Sequence, residues 1–298
     1  MEDPSRAGQR MSVSITFWGT RGTIATPGPG TARFGGNTAC VEVTDGGGNL
    51  VILDAGTGIR GLGKSLLGRN GPGGVKADII LSHAHWDHIQ GLPYFAPLFL
   101  KGNLIKVWGP RQGDVKMETI LRQMMHPAVF PVPLDALAAT LEVEHVNEAP
   151  LQTAGFTVRA MRVRHPAVTM GYRLERSGGP SIVYVTDDEL GPSGDYAVGP
   201  KWRKRLVEFI GGCDLLIHDA MYTPEEYDGH QGWGHSTYVE AVELAHEAGV
   251  GRLVLFHHEP EHGDEQMHEI TQRAREAAAG LGGRLEVTAA AEGLQLAL

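Results

Sequence analysis

The segment HAHWDH, residues 83–88, gathers three histidines and one aspartate within six residues. Side chains two positions apart in an extended segment leave the same face, so His83 and His85 can bind one metal ion. Asp87 and His88 begin the next predicted helix and can turn back toward a second ion. Imidazoles and carboxylates are ligands of zinc and similar metals, and burying them together without cations would cost free energy. The segment therefore predicts a metal site.

A glycine-rich stretch, GTGIRG at residues 56–61, matches the GxGxxG pattern of dinucleotide-binding turns. It follows the predicted strand VILDA and opens a predicted helix, which is the context that the pattern requires. The fingerprint also needs an acidic residue at the end of the next strand, where ADIILSH ends with His83 instead. A tight turn from strand to helix is therefore the favoured interpretation.

Short apolar runs bounded by glycine, proline or asparagine predict the strands that must position these residues. The runs lie at residues 13–18, 39–44, 50–54, 77–82, 141–145, 156–163, 169–175, 181–186, 214–218 and 252–256. Helical patterns lie between them, at residues 59–67, 87–100, 113–125, 200–210, 237–248 and 264–279. Thr237 and Glu240 form a predicted capping box at the start of one helix. The alternation predicts a layered α/β fold.

No change in composition marks a linker between two domains. Residues 12–298 are therefore predicted to form a single domain, and the polar residues 1–11 are predicted to be a disordered N-terminal tail. Cys40 and Cys213 are the only cysteines, which is compatible with a reducing cytoplasm, the predicted location.

Composition limits the classes of partner. The 298 residues contain 26 Lys and Arg against 35 Asp and Glu, a formal net charge of −9. Long nucleic acid is bound by basic surfaces, so this balance predicts no long nucleic-acid partner, although it allows a small anionic substrate. The sequence has no run of about 18 apolar residues and no signal peptide, which predicts no membrane partner.

Further histidines and aspartates follow in an order that resembles a known family. HAHWDH has the form HxHxDH, the signature of the metallo-β-lactamase superfamily. His165 in RVRHP, Asp187 in YVTDD and His257 in LVLFHHEP follow in the order of the later ligands of that superfamily, each after an apolar run rich in β-forming residues. The resemblance spans residues 13–260 and implies an αββα sandwich with a dinuclear metal site at its edge.

The resemblance implies two divalent ions per chain, with Zn²⁺ favoured and Mn²⁺ or Fe as alternatives. The implied ligands are His83, His85 and His165 for one ion, Asp87, His88 and His257 for the other, and Asp187 as a bridge. Asp188 or His258 can replace its neighbour, but the residue nearer the strand end is favoured because strand ends fix geometry better. Asp54 in LDAGTG is expected either to support the site without binding metal or to cap its own turn.

Three further segments resemble the phosphodiesterase branch of the superfamily. HDAMYT, residues 218–223, and GHST, residues 234–237, are similar to segments of ribonuclease Z and its relatives. FGGNTACVEV, after FWGTRG, is similar to the N-terminal strands of bacterial phosphoribosyl cyclic phosphodiesterases. The resemblance implies hydrolysis of a small phosphodiester, cyclic or linear and nucleotides included. In that reaction a metal-bound hydroxide attacks phosphorus while Asp87 orients it.

Cleavage of a phosphodiester also needs an acid for the leaving alkoxide. His235 is predicted to be that acid, with Asp219 or His218 orienting its imidazole. If His218 does not orient His235, it is predicted to support the metal ligands without binding metal itself. The alternative for His235 is a helix-entry residue bonded to the backbone.

Four residues in glycine-rich loops are candidate substrate contacts. Arg21 and Asn37 follow neighbouring predicted strands and can contact the phosphate, or they can be ordinary exposed loop residues. His230 and Trp233 precede His235 and can contact a base or sugar.

Other functions stay open at this point. The same two ions can open a lactone or thioester by polarising its carbonyl. A non-hydrolytic metal-binding or redox protein can also use this fold, because folds do not determine activity. A homodimer is compatible with the sequence, in which the apolar, proline-rich residues 124–134 can form a contact or a pocket rim.

Overall fold

Strands and helices alternate along the computed structural model, which describes residues 12–192, 194 and 196–298. The predicted tail at residues 1–11 lies outside the described residues. The strands are β1 Ser14–Gly19, β2 Cys40–Thr44, β3 Leu50–Leu53, β4 Lys76–Ile80, β5 Leu104–Gly109, β6 Thr140–His145, β7 Leu151–Thr153, β8 Phe156–Arg162, β9 Met170–Glu175, β10 Ser181–Val185, β11 Leu215–Asp219, β12 Arg252–Phe256, β13 Glu286–Ala289 and β14 Gln295–Ala297. The helices are α1 Ile59–Asn70, α2 Trp86–Ile89, α3 Met117–Met124, α4 Trp202–Ile210, α5 Pro224–Tyr227, α6 Tyr238–Glu247 and α7 Asp264–Leu281.

The strands form two seven-stranded sheets, in the orders β14-β1-β2-β3-β4-β5-β6 and β13-β12-β11-β10-β9-β8-β7. In the first sheet, β3 to β6 are parallel and the remaining pairs are antiparallel. In the second sheet, β10 to β13 are parallel and β7 to β10 are antiparallel. Parallel strands end at one edge of their sheet, which is where side chains for a site can collect.

Alternate residues of each strand face different layers, as the pleat of a strand requires. In β12, Val254 and Phe256 belong to the apolar core that both sheets share, whereas Leu253 and Leu255 pack in a second core with α4, α6 and α7. A third core joins the other face of the first sheet to α1 and α3. Helix, sheet, sheet and helix therefore form four layers, and the predicted αββα sandwich is confirmed.

The helix predicted at residues 87–100 is wrong. Helix α2 ends at Ile89, and two short 3-10 turns follow at Leu92–Tyr94 and Ala96–Phe99. Pro93 and Pro97 lack the N–H that a continuing helix needs, and each stands in one of the turns. The chain packs closely here, because a Cβ on Gly91 would lie 1.9 Å from the carbonyl oxygen of Gly56.

Four strands were not predicted, and two of them are very short. Strands β7 and β14 have only three residues each and lie at sheet edges, so they carry too little alternation to be recognised. Strands β5 and β13 were also missed. The predicted helix at residues 113–125 begins late, at Met117, because the backbone of Lys116 before it is extended, with φ −73° and ψ 147°.

The glycine-rich turn at residues 56–61 serves packing. A Cβ on Gly56 would lie 2.3 Å from the carbonyl oxygen of Asp87, and one on Gly58 would lie 2.3 Å from that of Trp18. These glycines therefore let the turn between β3 and α1 approach the HAHWDH segment and β1 closely, as the interpretation of a tight turn predicts.

Neither a membrane segment nor a disulfide is found in the described part of the chain. No helix there is both long enough and apolar enough to cross a bilayer. Cys40 and Cys213 are buried free thiols, and burial raises the pKa of the Cys213 thiol to about 12. Burial also raises the pKa of the Cys40 thiol well above its usual range, so both thiols are protonated at neutral pH.

Candidate metal centre

The predicted ligands lie in segments that directly follow strands of both sheets. The HAHWDH segment follows β4 of the first sheet. The remaining ligands come from the second sheet, where His165 follows β8, Asp187 follows β10 and His257 follows β12. All seven side chains fall into two groups whose ligand atoms lie within 4.8 Å of one another.

The first group contains His83, His85, His165 and Asp187. His165 Nε2 lies 3.1 Å from His85 Nδ1, and Asp187 Oδ2 lies 3.6 Å from His83 Nε2 and 3.7 Å from His165 Nε2. His83 Nε2 is buried and has no hydrogen-bond partner among the described residues. Burial lowers the pKa of His83 and lowers that of His165 to about 4, so both rings are neutral and can act as ligands.

The second group contains Asp87, His88, Asp187 and His257. His88 Nε2 lies 3.2 Å from His257 Nε2, and Asp87 Oδ2 is 3.1 Å from each of these nitrogens. Burial opposes a charge on His88, yet the carboxylates around it raise the pKa of this imidazole well above its usual range. This buried excess of carboxylates fits a cation-binding site.

The two oxygens of Asp187 face different groups. Oδ1 lies 3.1 Å from His88 Nε2 and 3.2 Å from His257 Nε2, whereas Oδ2 faces the first group. Burial opposes its charge, but the imidazoles of His257, His88 and His83 hold the pKa of Asp187 well below its usual range. An ionised carboxylate with this orientation can bridge two ions.

Asp188 and His258, the alternatives to Asp187 and His257, belong to neither group. Asp188 Oδ1 accepts a hydrogen bond of 2.9 Å from the backbone N–H of Arg164, and His258 Nε2 donates one of 2.8 Å to the carbonyl of Ala290. Asp187 and His257 adopt left-handed φ values of 50° and 61°. Strained conformations of this kind are common at functional sites. Here they accompany the approach of the Asp187 and His257 side chains to the other candidate ligands.

Asp54 contacts a predicted ligand rather than only capping its own turn. Its carboxylate accepts hydrogen bonds from His88 Nδ1 at 2.8 Å, from Ser82 N–H and Oγ at 2.7 and 2.9 Å, and from the Tyr184 hydroxyl at 2.7 Å. A carboxylate on the far nitrogen of a ligating imidazole fixes its tautomer and orientation. Ser82 and Tyr184 are partners that no sequence motif indicated.

His235 forms a dyad with Asp219 beside the second group. His235 Nδ1 lies 2.7 Å from Asp219 Oδ2, and its ring stacks on that of His257 at 5.0 Å. Burial opposes protonation, but the charge and hydrogen bond of Asp219 prevail and raise the pKa of His235 to about 9. His218 Nδ1 instead bonds the backbone carbonyl of Asp219 at 2.7 Å, so Asp219 is the residue that orients His235.

Helix α6 begins at Tyr238, shortly after His235, and its N-terminus is capped. The Thr237 hydroxyl accepts a hydrogen bond of 3.2 Å from Glu240 N–H, and Glu240 Oε2 accepts one of 2.9 Å from Thr237 N–H. The predicted capping box is thus confirmed. A similar box at Thr223 and Glu226, which begins α5, was missed.

The predicted phosphate contact of Arg21 is wrong, and that of Asn37 stays a prediction. Arg21 is fully buried and donates to the backbone carbonyls of Gly35 and Glu259 at 2.8 and 2.9 Å. Asn37 is held by Glu292, which accepts from its backbone N–H at 2.6 Å and from Nδ2 at 3.0 Å. Both residues therefore stabilise loops, and the buried Arg21 side chain is not available to a substrate.

Aromatic residues extend from the dyad to the surface. His230 stacks on Tyr222 at 4.4 Å and contacts the edge of Trp233 at 4.9 Å, while Tyr222 contacts His235 at 6.1 Å. Trp233 is 59% exposed, and Trp86, next to the predicted ligand His85, is 72% exposed. The sequence indicated His230 and Trp233 at the mouth but not Trp86, which its position inside HAHWDH could have suggested.

A loop from the first sheet also contacts the ligands. The backbone N–H of Thr23 donates a hydrogen bond of 2.8 Å to Asp87 Oδ2. A Cβ on Gly22 would lie 2.4 Å from the His257 ring, so this position requires glycine. Gly22, at the end of FWGTRG, and Thr23, which follows it, therefore support the site through the backbone.

Fold and site together define the class as a metal-dependent hydrolase with the metallo-β-lactamase fold. A family model described as "Beta-lactamase superfamily domain" matches residues 49–258, and the chain belongs to this superfamily.

Relatives and solved structures agree with that class. The ribonuclease Z of Archaeoglobus fulgidus is 27% identical over 288 aligned residues, which cover 83% of this chain and 87% of the relative. The metallo-β-lactamase fold protein YhfI of Bacillus subtilis has a TM-score of 0.66 and 20% identity, covering 96% of this chain and 100% of its own. A diphosphatase from the PhnP family has a TM-score of 0.65 and 19% identity, covering 97% and 98%. These two structures show likeness of fold.

The predicted enzyme class, a metal-dependent hydrolase of the phosphodiesterase type, is thus confirmed. The class of the enzyme does not identify its substrate. Because the relative is named for a ribonuclease, the exclusion of long nucleic acid stays a prediction from charge alone.

Proposed function

We propose that this chain hydrolyses a small phosphodiester, cyclic or linear and nucleotides included, at a centre of two divalent ions. The observation that carries this proposal is the dyad of His235 and Asp219, whose imidazole stacks on the candidate ligand His257 at 5.0 Å. A phosphodiesterase needs both elements, cations for the phosphate charge and an acid for the leaving alkoxide.

The ligand groups fit two ions of the zinc type, with manganese or iron as alternatives. Imidazoles and carboxylates are the donors that these metals share. When bound, the ions neutralise the nonbridging oxygens of a diester and lower the pKa of water toward 7. Asp87, held by the N–H of Thr23 at 2.8 Å, is placed to orient the attacking water, and Asp54 fixes His88.

His235 supplies the proton. Asp219 occupies Nδ1, so Nε2 is the nitrogen that gives a proton to the leaving alkoxide. Asp219 is itself held by the backbone N–H groups of Met221 and Ser236, each at 3.1 Å. A carboxylate held in this way keeps the imidazole in one orientation and stabilises its protonated form.

A small substrate is supported by charge and by the aromatic rim. A net charge of −9 opposes binding of a long polyanion. Trp233, His230 and Trp86 offer planar faces on which one base can stack, an interaction of about 1–3 kcal/mol.

Two other substrate classes remain to be tested against this proposal. Transfer-RNA precursors are the second candidate because ribonuclease Z of A. fulgidus covers 83% of this chain. Lactones and thioesters need the ions but no acid of the His235 type. A non-hydrolytic metal-binding or redox protein also needs the ions and no such acid.

The deciding experiment compares substrates on one preparation. Metal-depleted protein is reloaded with zinc, manganese or iron and assayed on a cyclic nucleotide, a linear aryl diester, a transfer-RNA precursor and a lactone. Metal-dependent cleavage of both small diesters is expected. Cleavage of the precursor alone would assign the second candidate, and cleavage of the lactone alone would contradict phosphodiester chemistry.

A further inference from the structure

Glu189 is a fully buried carboxylate near the metal centre to which no motif assigns a function. Oε1 accepts hydrogen bonds from the Tyr227 hydroxyl at 2.6 Å and from Gly232 N–H at 2.8 Å. Oε2 accepts one from Gly234 N–H at 2.9 Å and one from the Tyr196 hydroxyl. Each oxygen therefore accepts from one backbone amide and one phenol.

Gly234 connects this carboxylate to a candidate metal ligand. Its carbonyl accepts a hydrogen bond of 3.0 Å from His165 Nδ1, which leaves His165 Nε2 for the metal. Gly234 has a left-handed φ of 89°, and a Cβ there would lie 2.2 Å from His165 Nδ1. The Gly234 backbone thus fixes the ring of His165, and Glu189 fixes Gly234.

The same loop is joined to Asp188 and Leu190 on either side of Glu189. The Ser236 hydroxyl donates to the carbonyl of Asp188 and accepts a hydrogen bond of 3.1 Å from Leu190 N–H. Residues 232–236, which contain Trp233 and His235, are therefore held against the segment that continues from Asp187.

We propose that Glu189 is a positioning residue that holds the loop 232–236 in place and, through Gly234, orients His165 as a metal ligand. Its effect on metal binding is independent of the substrate. Its effect on catalysis, through Trp233 and His235, rests on the proposed function.

Glu189→Gln is the direct test because glutamine has the same shape. Its amide group can donate but not accept through nitrogen, so either orientation of the amide leaves one of the two glycine N–H groups without an acceptor. We expect faster hydrogen exchange at residues 232–234 in the metal-free protein. We also expect zinc affinity to fall about 10- to 100-fold, the usual effect of losing a partner of a metal ligand.

Tyr196→Phe is the matched control, because it removes one phenol and leaves both amide hydrogen bonds intact. Exchange and zinc affinity in this variant should stay close to those of the wild type. Equal losses in the two variants, or wild-type values in Glu189→Gln, would overturn the proposal. Neither readout uses a substrate, so failure of the proposed function would not affect this result.

A measurement on the wild type keeps the test open even if Glu189→Gln folds poorly. If the loop orients His165, zinc binding must in turn stabilise the loop, because coupling between two sites is reciprocal. Zinc should therefore slow exchange of the Gly232 and Gly234 amides relative to the metal-free protein. Unchanged exchange of both amides on zinc binding would contradict the coupling.

Discussion

Asp187 and Asp188 are adjacent carboxylates with different surroundings. Asp187 faces imidazoles of both groups, whereas Asp188 bonds the backbone of Arg164 and lies 3.6 Å from His218 Nε2. Chemically identical neighbours thus make a matched pair for testing which one binds metal.

Asp187→Ala should lower the occupancy of both ions, because its two oxygens face the two groups separately. Asp188→Ala should keep two ions per chain. Metal content is measured by elemental analysis after repletion with zinc, with circular dichroism to confirm that both variants fold. The opposite pattern would mean that Asp188 is the bridging residue.

Sequence reasoning identified the candidate ligands but not the contacts of two loop residues, Arg21 and Asn37. HAHWDH and its later partners are recognisable because few other arrangements place so many metal-binding groups at strand ends. Arg21 and Asn37 look the same in sequence whether they contact a substrate or a loop. Their partners are distant in the chain, Glu259 for Arg21 and Glu292 for Asn37, and only the folded structure brings them together.

At the scale of elements, the glycine-rich turn before α1 makes a prediction about stability. Gly56→Ala should destabilise the protein by about 1–3 kcal/mol or more, since the new Cβ would lie 2.3 Å from the Asp87 carbonyl oxygen. Gly68 is exposed within α1, and a Cβ added there would have no neighbouring atom within 4 Å. Gly68→Ala should therefore stabilise by about 0.5–1 kcal/mol.

Denaturant unfolding of the metal-free variants measures both changes. Equal stability of Gly56→Ala and wild type would contradict the claim that close packing of this turn requires glycine at position 56.

Element prediction succeeded for most continuous apolar runs and failed where packing decides. Strand β12 lies where its apolar run predicts, at Arg252–Phe256. The helix predicted at 87–100 ended early because Pro93 and Pro97 interrupt it. Three-residue edge strands such as β14 are specified by pairing with β1, which is a property of the sheet and not of the segment.

For the whole molecule, the candidate metal centre draws its residues from both sheets. One sheet contributes the HAHWDH segment, and the other contributes His165, Asp187 and His257. Without ions, several buried carboxylates and imidazoles face one another without full compensation, which destabilises the folded state.

Removal of metal should therefore lower the melting temperature, and zinc should restore it. Free zinc at 100 times its dissociation constant would add about 2.7 kcal/mol of stability per site, because the unfolded chain binds it poorly. Calorimetry with and without chelator measures the shift. An identical melting temperature in both states would contradict a centre that joins the sheets.

The role of His235 offers the most direct test of phosphodiester chemistry. His235→Ala should keep two metal ions and lose about 10² to 10⁴ in rate on a diester with a poor alkyl leaving group, the usual range for general acid catalysis. A diester with an activated aryl leaving group needs little protonation and should lose much less. The measurement is the ratio of the two losses at saturating metal. A much larger loss on the alkyl diester is the predicted result, and equal losses on both diesters would contradict proton donation by His235.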